Sequence, residues 1–208
     1  MSQFVHLHVH SQYSILDGQA SIQRLVDKAM ADGQPGIAIT DHGDMFGIKE
    51  FYNYVKKVKG KLKDKAAECE KRLAALGDGT EQAADTAAEI AACEKQLEEL
   101  RAKMNFKPII GCEVYVARRR LQDKEGKPDQ SGYHLILLAK NLKGYHNLIN
   151  IVSKAWTEGF YMRPRTDRSE LDKYHEGLIC CSACLAGEVP RAITDDDLEK
   201  AEESTLWH

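Results

Sequence analysis

The stretch His6-Leu7-His8-Val9-His10 decides how the rest of the chain is read. In an extended strand successive side chains alternate between faces. The pattern therefore predicts a strand with Val5, Leu7 and Val9 turned to a core and His6, His8 and His10 lining the opposite face. Imidazoles two residues apart on a strand have Cα atoms roughly 6.5–7 Å apart, so both can lean toward one cation about 2.0–2.1 Å from each nitrogen. By itself, such a pair also fits the exposed face of a half-buried strand. What stands elsewhere in the chain decides between the two.

Outward from the histidines, residues 11–18 read as a loop, and Ser21 as the cap of a helix with Ile22, Leu25, Val26 and Ala29 on one face and Gly33 at its end. Gly36-Ile-Ala-Ile-Thr40 is a short apolar strand followed by Asp41-His42-Gly43, and a second helix begins near Phe46 and carries Phe51, Tyr54, Val55 and Val58. Residues 59–105 shift to Ala, Glu, Lys and Leu. Leu62, Ala66, Cys69, Leu73 and Leu76, then Ile90, Leu97, Leu100 and Met104, form stripes that predict an antiparallel helical hairpin turning at Gly77-Asp78-Gly79. Its balanced charges suit a solvated insertion. Strands are expected over 108–116, 133–139 and 177–182, a polar loop over 118–132, and helices over 142–156 and 169–173. A last helix is expected after Thr194, with Asp195-Asp196-Asp197 in its first turn. Strands alternating with helices predict an α/β fold of parallel strands, a barrel or an open sheet, with its chemistry at the C-terminal strand ends.

The 208 residues carry a net charge of −3, with 43% apolar and 29% charged residues, as in a soluble globular domain. This balance excludes a general attraction to nucleic acid or anionic membrane, so any such contact needs a local basic patch. The first residues lack the basic and apolar regions of a secretory signal, and no apolar run reaches the roughly 18 residues of a membrane span. A cytoplasmic protein is expected, with its six cysteines as free thiols or metal ligands.

Ligand-type residues recur at or just past the predicted strand ends: His8 and His10, Asp17, His42, Glu113, His134 and Cys184. Each has an ordinary reading: Asp17-Gly18 as a turn, His134 as a core histidine, Glu113 as an ion-paired residue, Cys181-x-x-Cys184 as a redox pair. Together they exceed what one tetrahedral ion uses, which points to clustered metals with Glu113 suited to bridge two of them. Such clusters activate water and clamp phosphate. Asp41 suits a role behind the ligands, orienting a histidine. Arg118, Arg119, Arg163 and Arg165, with Arg120 and Arg168, could meet a nucleic-acid backbone or be solvated loop charge.

The run His6-Leu-His-Val-His-Ser-Gln-Tyr-Ser-Ile-Leu-Asp-Gly18, with Ile39-Thr-Asp-His-Gly-Asp-Met-Phe-Gly47, Phe106-Lys-Pro-Ile-Ile-Gly-Cys-Glu113 and Gly159-Phe-Tyr-Met-Arg-Pro-Arg165, closely resembles the N-terminal polymerase and histidinol phosphatase (PHP) domains of bacterial DNA polymerase III alpha subunits. The resemblance implies a distorted (β/α)7 barrel over residues 1–58 and 106–208, with the hairpin at 59–105 inserted. It also implies up to three zinc or manganese ions. His8, His10 and Glu113 would hold one, Glu113, His134 and Cys184 a second, and Asp17 and His42 the third. The family's further ligands, in a late Asp-x-His motif, have no counterpart after Cys184. The sequence is thus expected to be the N-terminal part of a longer polypeptide, incomplete before the barrel's closing strands.

By the same resemblance the whole protein is a DNA-directed DNA polymerase. It would meet DNA, a proofreading subunit and the sliding clamp, with magnesium serving polymerase residues for which this chain has no room. Within these residues only hydrolysis is expected, as a 3′–5′ exonuclease. Two alternatives stand beside it: a free-standing phosphoesterase acting on a small ester, and a non-catalytic structural and docking domain.

Overall fold

The computed structural model describes residues 4–77 and 84–208. It divides into two compact units: the described parts of Met1–Val5, Gln23–Ile37 and Lys49–Pro108 form one, and His6–Ile22, Ala38–Ile48 and Ile109–His208 the other.

The first unit is mainly helical. Helix α1 (Ile22–Ala31) buries Val26 and Ala29 and stops where Gly33, at φ +70°, turns the chain so that the Gln34 N–H reaches the Ala29 carbonyl at 2.9 Å. Strand β1 (Gly36–Ile39) follows, its last two residues already in the second unit, and then α2 (Ile48–Gly77) runs without a break through the composition change at Lys59. Helix α3 (Ala84–Met104) returns along it. Ala66 and Cys69 pack with Leu97 and Leu100, flanked by Leu62, Leu73 and Met104. Cys93, also buried, fits the same three-and-four spacing. The Glu70–Arg101 and Arg72–Glu89 pairs, at 2.8 and 3.7 Å, match antiparallel helices. Beyond Gly77, the expected Gly77-Asp78-Gly79 turn lies outside the described residues.

The second unit is built on a mixed sheet. Strand β2 (Lys107–Val116), the short α4 (Lys127–Gln130), β3 (Tyr133–Ala139), α5 (Leu142–Thr157), β4 (Arg165–Thr166), α6 (Arg168–Tyr174) and β5 (Leu178–Cys181) follow in order. The sheet order is β1-β2-β3-β5, with β4 paired to β2. An α/β fold is present, but not the all-parallel sheet expected. Strand β3 pairs antiparallel with both β2 and β5, whereas β4 is parallel to β2. The reason lies in the connection. Only the four-residue α4 stands between β2 and β3, so no crossover helix carries the chain back before β3 enters.

Alternation along these strands separates two faces. Cys112, Val114 and Val116 of β2 and Leu135 and Leu137 of β3 pack on Leu148, Ile151 and Val152 of α5 and Leu171 of α6. The intervening residues Glu113, Tyr115, His134 and Ile136 turn to the opposite face, where Ile136 and Leu138 pack with Ala38. Because β3 runs backward, its first residues lie beside the C-terminal half of β2, with His134 opposite Tyr115. The start of one strand and the end of another thus reach the same end of the sheet.

Two local expectations are corrected. Residues 4–10 are not a regular strand. The Ala38 N–H donates to the His6 carbonyl at 2.9 Å, but the Thr40 N–H donates to Val9 at 2.8 Å, so three residues answer two on the neighbour. This bulge-like extra residue breaks strict alternation and leaves Leu7 43% exposed. At the other end Thr194 does not begin the last helix. It ends α7 (Glu188–Thr194), its hydroxyl donating to the Pro190 carbonyl at 2.8 Å. The cap of α8 (Leu198–Trp207) is Asp197, which accepts from the Lys200 N–H at 3.1 Å. Pro190 sits in the first turn of α7, where no N–H is required.

Candidate metal centre

Glu113 stands midway along β2 with no solvent exposure, and its carboxylate is the meeting point of the ligand-type side chains. Oε2 lies 2.9 Å from His8 Nε2 and 3.0 Å from His10 Nε2, and these two nitrogens are 3.1 Å apart. Ligands about 2.0–2.1 Å from a tetrahedral ion are separated by roughly 3.3–3.4 Å along each edge. The triangle is close to one face of such a shell. The other oxygen, Oε1, contacts His134 Nδ1 and lies 4.0 Å from Cys184 Sγ, which is 3.7 Å from His134 Nδ1. With a longer metal–sulfur bond the matching edge is roughly 3.6 Å, so this second group is also near ligand spacing.

His42 completes the cluster. Its Nε2 lies 2.9 Å from Asp17 Oδ2, and its Nδ1 is buried without a hydrogen-bond partner, 3.4 Å from Glu113 Oε2. A buried ring nitrogen left so is costly unless it serves as a ligand. Three trios have ligand atoms within 4.8 Å of one another: His8, His10 and Glu113; His10, Asp17 and His42; His42, Glu113 and His134. In the last, His42 takes the place that the resemblance gives to Cys184. The residues present fit two or more divalent cations sharing Glu113.

The electrostatics follow from this crowding. Burial alone would raise the Glu113 carboxyl, but hydrogen bonds with His10, His134 and His8 outweigh it and hold the group far below the usual carboxylate range. Asp44, close by, is pushed up to about 6 by burial and then by the charge of Asp41, against the N–H of Phe46.

The carboxylate of Asp41 is held by serines rather than by a histidine ring. Buried, it accepts from the Ser11 N–H and hydroxyl at 2.6 and 2.7 Å and from the Ser14 hydroxyl at 2.7 Å. Ser14 Oγ then stands 3.4 Å from His10 Nδ1 and accepts from the His42 N–H at 3.2 Å. Asp41 thus reaches the ligands through a serine that the sequence did not mark. Tyr115 was also missed, although its place two residues after Glu113 on the same strand was a usable signal. Its ring lies 5.0 Å from that of His134 and 6.1 Å from that of His42.

The arginines separate. Arg165 cannot meet a nucleic-acid backbone: it has no solvent exposure, and its guanidinium donates to the carbonyls of Gly159, Asp129, Leu121 and Asp123 at 2.9–3.1 Å. Arg119 is engaged by Asp129 and Glu125, and Arg118 lies over the Tyr133 ring at 5.3 Å. Arg163, over Tyr115 at 5.6 Å, lines the cleft that holds the cluster. Cys181 packs against Ala38, Ile136 and Leu138, and both it and Cys184 are free thiols.

The chain is similar to proteins of known name. Its sequence is 39% identical over 210 residues to the DNA polymerase III subunit alpha of Borreliella burgdorferi, covering 99% of this chain and 14% of that protein. The same-named proteins of Treponema pallidum and Thermus aquaticus are 40% and 38% identical over 96% of this chain and 13% of their own lengths. The chain therefore spans about one-seventh of these curated relatives. The PHP domain family matches residues 6–207, the span that carries all seven ligand-type side chains, and the chain belongs to that family.

Proposed function

We propose that these residues are the N-terminal PHP part of a bacterial replicative DNA polymerase alpha subunit, and that its cluster is a metal-dependent phosphodiesterase acting as a 3′–5′ exonuclease. The observation that carries the reading is one buried carboxylate shared by His8, His10, His42 and His134, with Asp17 and Cys184 at the margins. His8, His10 and Glu113 would hold one cation, zinc or manganese, Glu113, His134 and Cys184 a second, and Asp17 and His42 a third. Bound cations supply Lewis-acid activation of water and of the phosphoryl oxygens. The chain's own residues prepare the site for them. Glu113 stays ionised, and Ser14 and Asp41 fix the ring of His10. Arg163 offers the cleft a cation for the phosphate that enters.

Polymerisation with magnesium, DNA as template, and the proofreading subunit and sliding clamp as partners belong to the rest of such a protein, acting in the cytoplasm. No helix among the described residues is long and apolar enough to cross a membrane. Residues 1–58 and 106–208 are read as the PHP domain and 59–105 as its inserted hairpin. The test is His10→Ala, assayed for bound metal and for release of nucleotides from a labelled 3′ end. Both should be lost while the circular dichroism spectrum is kept. Undiminished hydrolysis in a pure preparation contradicts the exonuclease, and metal loss with unfolding but no hydrolysis in the native protein makes the site structural.

A further inference from the structure

The cleft around the ligand cluster, about 740 Å³, has a second lining that phosphate chemistry does not use. Phe46, Trp156 and Phe160 form a ladder of rings: the Phe46 and Trp156 centroids are 5.9 Å apart, and those of Trp156 and Phe160 are 5.6 Å apart and stacked at 23°. Phe46 is 63% exposed and Phe160 46%, yet the ladder is anchored, because the Trp156 indole N–H donates to the Gly43 carbonyl at 2.8 Å. Large aromatic surface left to water and held in place is the mark of a contact surface.

The adjoining turn adds a second observation. Met162 is held at φ 62°, a region uncommon for residues with side chains, while the Tyr161 N–H donates to the Arg163 carbonyl at 3.0 Å. The turn leaves Met162 67% exposed and places Arg163 in the same cleft as the rings and the ligand cluster. Sites for single-stranded nucleic acid combine these elements, cations along the backbone and aromatic faces for the bases. A small phosphate ester has no use for the ladder.

We propose that Phe46, Trp156 and Phe160 form a base-stacking subsite for the unpaired terminal nucleotides of a single strand, with Arg163 on its backbone, presenting a phosphodiester to the cluster at Glu113. The inference rests on the phosphodiesterase reading and names its substrate class. It makes the site one for frayed polynucleotide ends rather than for small esters.

The test compares a short single-stranded oligonucleotide with the same oligonucleotide made abasic at its last two 3′ positions. In manganese, the native protein should favour the based end in kcat/KM by about fivefold to a hundredfold. Phe160→Ala and the bulkier Phe160→Leu should bring that ratio toward one, and Phe160→Tyr should preserve it. A native ratio near one, or a ratio unmoved by losing the ring, overturns the subsite. If the native protein hydrolyses neither oligonucleotide, the phosphodiesterase reading fails separately. The subsite is then judged by the same ratio in Kd from fluorescence anisotropy, which supports it at fivefold or above and overturns it at one.

Discussion

Glu113 and Arg165 are both charged and both without solvent exposure, and the fold holds them in opposite ways. Around Arg165 the partners are four backbone carbonyls, from Gly159, Asp129, Leu121 and Asp123, all acceptors with no other chemistry. Around Glu113 they are imidazoles, each able to donate, accept or bind a metal. The Arg165 environment is a clasp: it ties residues 121–129 to β4 and leaves no atom for a ligand. The Glu113 environment is incomplete as a hydrogen-bonded network, with the buried Nδ1 of His42 unpartnered. A buried charge satisfied by backbone stabilises the fold, whereas one surrounded by side-chain ligands is arranged for something that binds.

The contrast breaks most sharply with Glu113→Gln. That change keeps size and removes charge, so 3′-end hydrolysis should fall to background while the thermal midpoint stays within a few degrees in chelator. A midpoint collapse would make Glu113 a second clasp. Arg165→Ala should do the reverse, costing about 3–5 kcal/mol in denaturant unfolding because four carbonyls lose their donor. Arg165→Lys should recover only part of this, since one ammonium cannot reach four carbonyls.

Smaller effects sharpen the same line. Ser14→Ala removes the hydroxyl between Asp41 and His10 without touching a ligand atom, and should weaken metal affinity by about 10- to 100-fold in a chelator competition. An affinity equal to that of the native protein would confine Asp41 to loop packing. Least of all, Glu70→Ala in the hairpin removes an exposed pair with Arg101 and should change stability by less than about 1 kcal/mol and hydrolysis not at all.

Much of this was legible in the residue order. The apolar runs of β2, β3 and β5 and the stripes of α2, α3 and α5 follow from periodicity, and of the ligand-type residues picked out by position, His8, His10, His42, His134 and Cys184 stand around the Glu113 carboxylate with Asp17 beside His42. Strand direction was not legible. Whether β3 runs with or against β2 depends on whether the connecting loop makes a crossover, and the polar segment before Tyr133 does not announce that. Nor was the bulge at Leu7-His8, because the extra residue is defined by the partner strand. Arg165 misled for a related reason. A Met-Arg-Pro-Arg run reads as surface charge, and only the folded loops supply four carbonyls to bury it.

The central claim, that Glu113 is shared by more than one metal ion, is tested most directly by counting. Protein saturated with zinc or manganese and freed of excess should carry at least two ions per chain by inductively coupled plasma mass spectrometry. Glu113→Gln, with an unchanged circular dichroism spectrum, should retain fewer than one. A single ion in the native protein, or a full complement retained by Glu113→Gln, would contradict it.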